Sequence, residues 1–191
     1  MVLAPPLMRG VGEIKQPRCS VPNAVTPVEL ENLQLPELRR SLSLKRVGWI
    51  QLNGAGTSCE LMVDDISPCA LYCEVVDGHA MKFGTARSLR DRQGLNRGTI
   101  NNILAFKDGR YRGTNRKIND PSIYDKYKRR APEVIRSGSR IEIWAVSLSS
   151  GAECQDPLKK FNAQCTACRS IEAVLNDRYK TVEHGWATRR N

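Results

Sequence analysis

Apolar and polar positions alternate with period two in some stretches of this chain and recur at helical spacing in others. VGWIQLN (47–53) alternates, which predicts a strand, and Asn53-Gly54-Ala55-Gly56 breaks it. ELMVDDIS (60–67) fits one helical turn or an edge strand equally well. ALYCEVV (70–76) and HAMKFG (79–84) are apolar runs on either side of Asp77-Gly78, a hairpin signal. In RIEIWAVSL (140–148), Ile141, Ile143, Ala145 and Ser147 alternate with Glu142, Trp144, Val146 and Leu148, the pattern of a central strand. Helical spacing predicts a helix over 28–42 interrupted at Pro36, and a basic helix after Gly84, capped by Thr85, with Leu89 inward. It also predicts helices from Thr99 to Phe106, and from Asp120-Pro121 to Pro132. A last helix is expected over 157–180, with Leu158, Phe161, Cys165, Cys168 and 173–175 buried. Trp144 and Trp186 are expected in the core.

The hairpin has two candidate registers. A two-residue loop of Asp77 and Gly78 would set Tyr72 opposite Phe83 and mix polar with apolar residues on both faces. A three-residue loop, Val76-Asp77-Gly78, sets Leu71 opposite Phe83, Cys73 opposite Met81 and Val75 opposite His79 on one apolar face. It places Tyr72 opposite Lys82, and Glu74 opposite Ala80, on the other. The hydrophobic pattern selects the second, since a slip of one residue exchanges the faces.

Composition narrows the class. The chain has 191 residues, 40% hydrophobic and 26% charged, suited to one domain with an arm or insertion. Residues 1–45 are read as an N-terminal arm and helix, and 46–191 as the main domain with a basic insertion at about 94–135. No apolar run is long enough to span a membrane, and the N-terminus lacks a secretion signal's continuous apolar segment, so a cytoplasmic protein is expected. The net charge is +10; residues 86–140 hold fifteen Lys/Arg against five Asp/Glu and carry all of it. With aromatics and amides among the charges, this block suits a polyanion. The seven cysteines are odd in number, which argues against a disulfide framework. Cys165 and Cys168 have the CxxC spacing of a zinc site, with Cys154 upstream and a fourth ligand from a distant cysteine or His184; buried thiols are the plainer alternative.

Ala70-Leu71-Tyr72, nine residues, then Lys82-Phe83-Gly84 resembles the paired tripeptides of the GIY-YIG nuclease superfamily. Gly84-Thr-Ala-Arg-Ser-Leu89-Arg-Asp-Arg92 is similar to the family's continuation, and Glu172 in SIEAVLNDRY resembles the glutamate of its last helix. The resemblance covers roughly 68–189 and implies an α+β fold: a small three-stranded antiparallel sheet flanked by helices. The chain departs from the pattern in three places. Lys82 replaces the second tyrosine, Gln93-Gly94-Leu95 stands where a histidine or tyrosine often follows the arginine, and Ala187 follows Trp186 where an asparagine is common.

The chemistry of these residue types suits phosphodiester hydrolysis, which needs a deprotonated water, a held phosphate and a stabilised leaving oxygen. Tyr72 can be the general base if a cation such as Lys82 lowers its pKa. Arg92 can hold the scissile phosphate with its planar fork, and Glu172 can anchor Mg²⁺ or Mn²⁺. The resemblance implies the same roles for Tyr72, Arg92 and Glu172. Arg87, Arg110, Tyr111, Arg112, Arg116, Lys117, Lys126, Lys128, Arg129 and Arg130 are the candidate nucleic-acid contacts, most of them to phosphates. The expected activity is a metal-dependent endonuclease on double-stranded DNA, restriction-like or phage-type, alone or as a homodimer. Its rivals are a catalytically silent nucleic-acid-binding module of the same fold and a zinc-containing interaction domain.

Overall fold

A computed structural model of the chain describes residues 23–66, 69–105, 126–148 and 169–188. The fold is mixed α and β, built on antiparallel strands. In chain order the elements are α1 (Pro27–Glu31), β1 (Leu33–Leu35), β2 (Arg40–Leu42), β3 (Lys45–Leu52), β4 (Cys59–Val63), β5 (Ala70–Val76), β6 (His79–Ala86), α2 (Leu89–Leu104), α3 (Lys126–Arg136), β7 (Ile141–Ser147) and α4 (169–178). No helix among the described residues is long and apolar enough to cross a membrane.

The main sheet has five strands in the order β4-β3-β7-β5-β6, not the three expected. The three-stranded unit β7-β5-β6 is present within it. The β3–β4 hairpin extends that unit through β7, so the ambiguous stretch 60–67 begins as an edge strand. The β7 strand is central, and both of its faces are covered, as its alternation requires.

One face carries Tyr72, Ile141, Ile143 and Ala145 beneath α2, α3 and Trp186, with Leu89, Ile100, Tyr127, Ala131 and Ile135 filling the layer. The other carries Leu71, Cys73, Phe83 and Trp144 beneath α1, the β1–β2 hairpin and α4. Residues 23–45 thus belong to the core. The helix expected over 28–42 is replaced by the five-residue α1 and the β1–β2 hairpin, joined by a 3₁₀ turn at Pro36–Leu38 and Arg39 at φ 47°. Leu30 and Leu33 imitate a helical repeat, but Leu33 and Leu35 face the core together with Leu42 and Leu44, which is strand spacing.

The β5–β6 register also differs from the one selected on pattern. Asp77 and Gly78 both have positive φ (49° and 76°), which makes a two-residue primed turn. A bulge then inserts Met81 between the partners of Glu74 and Val75. The extra residue restores the parity that a two-residue loop would have lost: Phe83 pairs with Cys73, Lys82 with Glu74, and Tyr72 with Gly84. Strand β6 runs past Gly84 to Ala86, so the cap of α2 is Ser88, which accepts from the Asp91 N–H at 3.2 Å, and not Thr85. One continuous α2 takes the place of the two helices expected after Gly84 and from Thr99, and α3 runs through Pro132.

Candidate active site

Tyr72 is 1% exposed. Its ring lies across Gly84 so closely that a Cβ there would stand 2.5 Å from both Cζ and Oη. Glycine is the residue that lets the phenol reach the outer strand. Lys82 sits two residues before Gly84, half-buried, opposite Glu74 and diagonal to Tyr72. It lies on the face of Tyr72 but is not its direct partner.

Arg92 is exposed on the second turn of α2. At about 100° per residue it lies on the same flank as Asn96, the flank turned toward β5, while Arg90 and Arg97 lie on the opposite flank. Arg87 is exposed just before the helix. Neither Lys82 nor Arg92 makes a side-chain hydrogen bond or ion pair among the described residues.

Helix α4 runs along the outer side of β6. Asn176 bonds the Phe83 main chain twice, accepting from N–H and donating to C=O at 2.9 Å each, as a further strand would. One turn earlier, the buried Glu172 accepts from the Thr85 hydroxyl at 2.9 Å. The phenol end and the carboxylate therefore meet adjacent residues of β6, Gly84 and Thr85. They do so from opposite parities of the strand: Tyr72 belongs to the α2 face, and α4 buries Ile171 and Leu175 in the other. The edge of β6 is where the two can share a ligand; the body of the sheet separates the rest of their elements.

Glu74 is a group that sequence reasoning passed over. It is fully buried beside Tyr72 on the α2 face and receives three donors. Gln93 Nε2 (3.2 Å) and Asn96 Nδ2 (2.9 Å) bond one oxygen, and the indole N–H of Trp186 bonds the other at 2.6 Å. A carboxylate in an otherwise apolar strand was the available signal. Trp186 in turn meets Tyr127 edge-on at 5.4 Å, and its own main-chain N–H bonds Met81 C=O at 2.9 Å. The turn carrying Trp186 is gripped by two of the expected phosphate contacts: Lys126 donates to Val182 C=O, and Arg130 to His184 and Gly185 C=O at 2.7 and 2.8 Å. Those two cations hold the structure together at this point. Lys128 is half-buried and Arg129 exposed on α3; Arg110, Tyr111, Arg112, Arg116 and Lys117 lie outside the described residues.

Among the described residues no three His, Cys, Asp or Glu side chains stand together as a metal cage. Mg²⁺ commonly uses one or two carboxylates with waters and substrate phosphates, so the donor chemistry of Glu172 fits a single-anchor site. Cys59, Cys69 and Cys73 are buried thiols; Cys165 and Cys168 lie outside the described residues. The chain matches no family model, no curated protein and no solved structure.

Proposed function

We propose that the protein is a metal-dependent endonuclease that hydrolyses phosphodiester bonds in DNA. The observation that supports this best is the approach of Tyr72 and Glu172 to consecutive residues of one edge strand, Gly84 and Thr85, with α2 starting three residues after β6 ends and Arg92 standing six residues after it. In this reading Tyr72 takes a proton from the attacking water. Lys82, two residues along the same face, favours the phenolate by its charge. Arg92 holds the scissile phosphate from the flank of α2 turned toward β5. Glu172 anchors Mg²⁺ or Mn²⁺, which supplies charge neutralisation at the phosphate. Glu74 positions α2 through Gln93, the residue next to Arg92. Duplex DNA is the substrate favoured by the basic block, in the manner of restriction or phage enzymes, with one or two protomers engaged.

Plasmid DNA incubated with and without Mg²⁺ tests the reading. Nicking or linearisation is expected with the metal alone, and Tyr72→Phe should bind DNA but cut at least about a hundredfold more slowly. Equal cutting by Tyr72→Phe removes the assigned base.

The near-complete burial of Tyr72 favours one second reading, a silent nucleic-acid-binding module in which the phenol is a packing residue. In that case the wild type binds DNA, and neither Mg²⁺ nor Mn²⁺ elicits cleavage.

A further inference from the structure

On the flank of α2 away from Arg92, the helix and the β3–β4 hairpin enclose a groove of about 1080 Å³. Arg46, Arg90 and Arg97 line it together with Val47, Leu61 and Val63, which lie on the sheet face that α2 covers, with Leu95 of the helix, and with Trp49 and Met62, which pair on the other face of the hairpin. Met62 and Leu95 are 56% and 68% exposed. Two aspartates also border the groove, Asp64 and Asp91, the latter in the first turn of α2 where the helix dipole offsets its charge. Arg90 and Arg97 have no ion pair among the described residues, while Arg46 pairs loosely with Glu142 at 3.4 Å.

The composition of α2 beside this groove is at odds with helix stability. Gly94 and Gly98 sit in the interior of a 16-residue helix, one turn apart, and a Cβ at either would meet nothing within 4 Å. Glycine in a helix interior is unfavourable relative to alanine, and nothing in the fold requires it at these two positions. What it leaves is a bare strip of helix backbone beside Arg90 and Arg97, with Asp91 and Leu95 standing between the strip and Arg92. A strip of this kind suits a ligand whose own backbone approaches the helix closely.

We propose that this groove and the glycine strip form a second contact for the nucleic-acid backbone, separate from the position where the ester is cut. The inference rests on the nucleic-acid reading given above. Arg90 and Arg97 are seven residues apart, about 10.5 Å along the helix, and their long side chains can reach separate phosphates of one strand on either side of the glycines. Each guanidinium meets one phosphate, the sugars pass over Gly94 and Gly98, and Leu95 excludes water from the sugar edge. A substrate held here and at Arg92 crosses α2, gripped on both flanks.

Binding of a short duplex oligonucleotide, measured against salt concentration with a chelator present, tests this. The double variant Arg90→Ala/Arg97→Ala should reduce the slope of log affinity against log salt by about 2, at about 0.9 for each phosphate no longer neutralised. The double variant Gly94→Ala/Gly98→Ala should melt at a higher temperature and yet bind several-fold more weakly. An unchanged slope in the arginine variant, or unchanged binding in the glycine variant, overturns the groove while leaving the nuclease reading intact; a protein segment as the true occupant would give this result. A lower melting temperature in the glycine variant overturns the argument from the helix. A wild-type protein that binds no duplex at any salt overturns both readings.

Discussion

Tyr72 and Gly84 face each other across the β5–β6 ladder, and the end of the phenol ring fills the space where a side chain at position 84 would begin. The contact couples the two tripeptides through packing and not only through sequence spacing. Gly84→Ala should force the ring aside and destabilise the fold by about 1–3 kcal/mol, the usual cost of overpacking. In a Tyr72→Ala background the same change should cost far less. A double-mutant cycle from urea denaturation reads the coupling, and equal costs in both backgrounds would show that the ring is not where the geometry puts it.

The Glu74 carboxylate holds donors from α2 and from the Trp186 turn. Glu74→Leu removes the acceptor of the Gln93 amide and of the Trp186 indole and leaves Asn96 Nδ2 with Gln93 Oε1 alone, and a loss of roughly 2–4 kcal/mol is expected. Near-ultraviolet circular dichroism should report it through Trp186, whose environment changes first. A variant with wild-type stability would mean that the donors find water or other partners.

Each edge strand is met by an asparagine on a helix: Asn176 at Phe83, and Asn101 at Cys59, where the Cys59 N–H donates to Oδ1 at 2.6 Å and Nδ2 reaches the C=O at 3.5 Å. Replacing either by alanine should cost about 1–2 kcal/mol. The amide of Phe83 or Cys59, respectively, should then exchange faster with solvent. Because the two lie on opposite edges of the sheet, the double variant should be additive to within about 0.5 kcal/mol.

Stability should fall in alkali. Burial pushes the Cys59 thiol from 9.0 up to about 11, with Arg97 pulling weakly the other way. Burial, and then the hydrogen bond to Glu29, raise the Tyr179 phenol above its usual range. For both groups the neutral form is the one that the fold favours, so the unfolded chain loses its protons first as pH rises. The stabilisation is complete below pH 9 and declines as pH climbs toward about 11. Melting temperatures taken across that range should drop, and Cys59→Ala should make the decline shallower.

Alternation made β3 and β7 legible in the sequence, apolar runs on either side of Asp77-Gly78 did so for β5 and β6, and the central place of β7 followed from apolar residues on both of its faces. The β1–β2 hairpin was hidden because Leu30 and Leu33 have a spacing that suits a helix as well as it suits their actual elements. The bulge at Met81 leaves no compositional mark, yet it decides whether Phe83 or Gly84 faces Tyr72. The continuity of α2 through two glycines depends on tertiary bonds from Gln93, Asn96 and Asn101, which outweigh local propensity. The residues of the candidate site were readable one at a time. Their approach to one edge of the sheet, and the employment of Lys126 and Arg130 as ties, depend on contacts between segments far apart in the chain.

The rim of β6 is closed by pieces drawn from distant parts of the sequence: Asn23 to Val25 at Gly78–Ala80, Trp186 at Met81, and Asn176 at Phe83. The local β5–β6 turn can form early during refolding, while these covers must each find it across a long loop of chain. Until they arrive, the strand offers unsatisfied amides to any neighbour in the same condition. Recovery from denaturant should therefore decline as protein concentration rises, with the losses captured as intermolecular strand pairs.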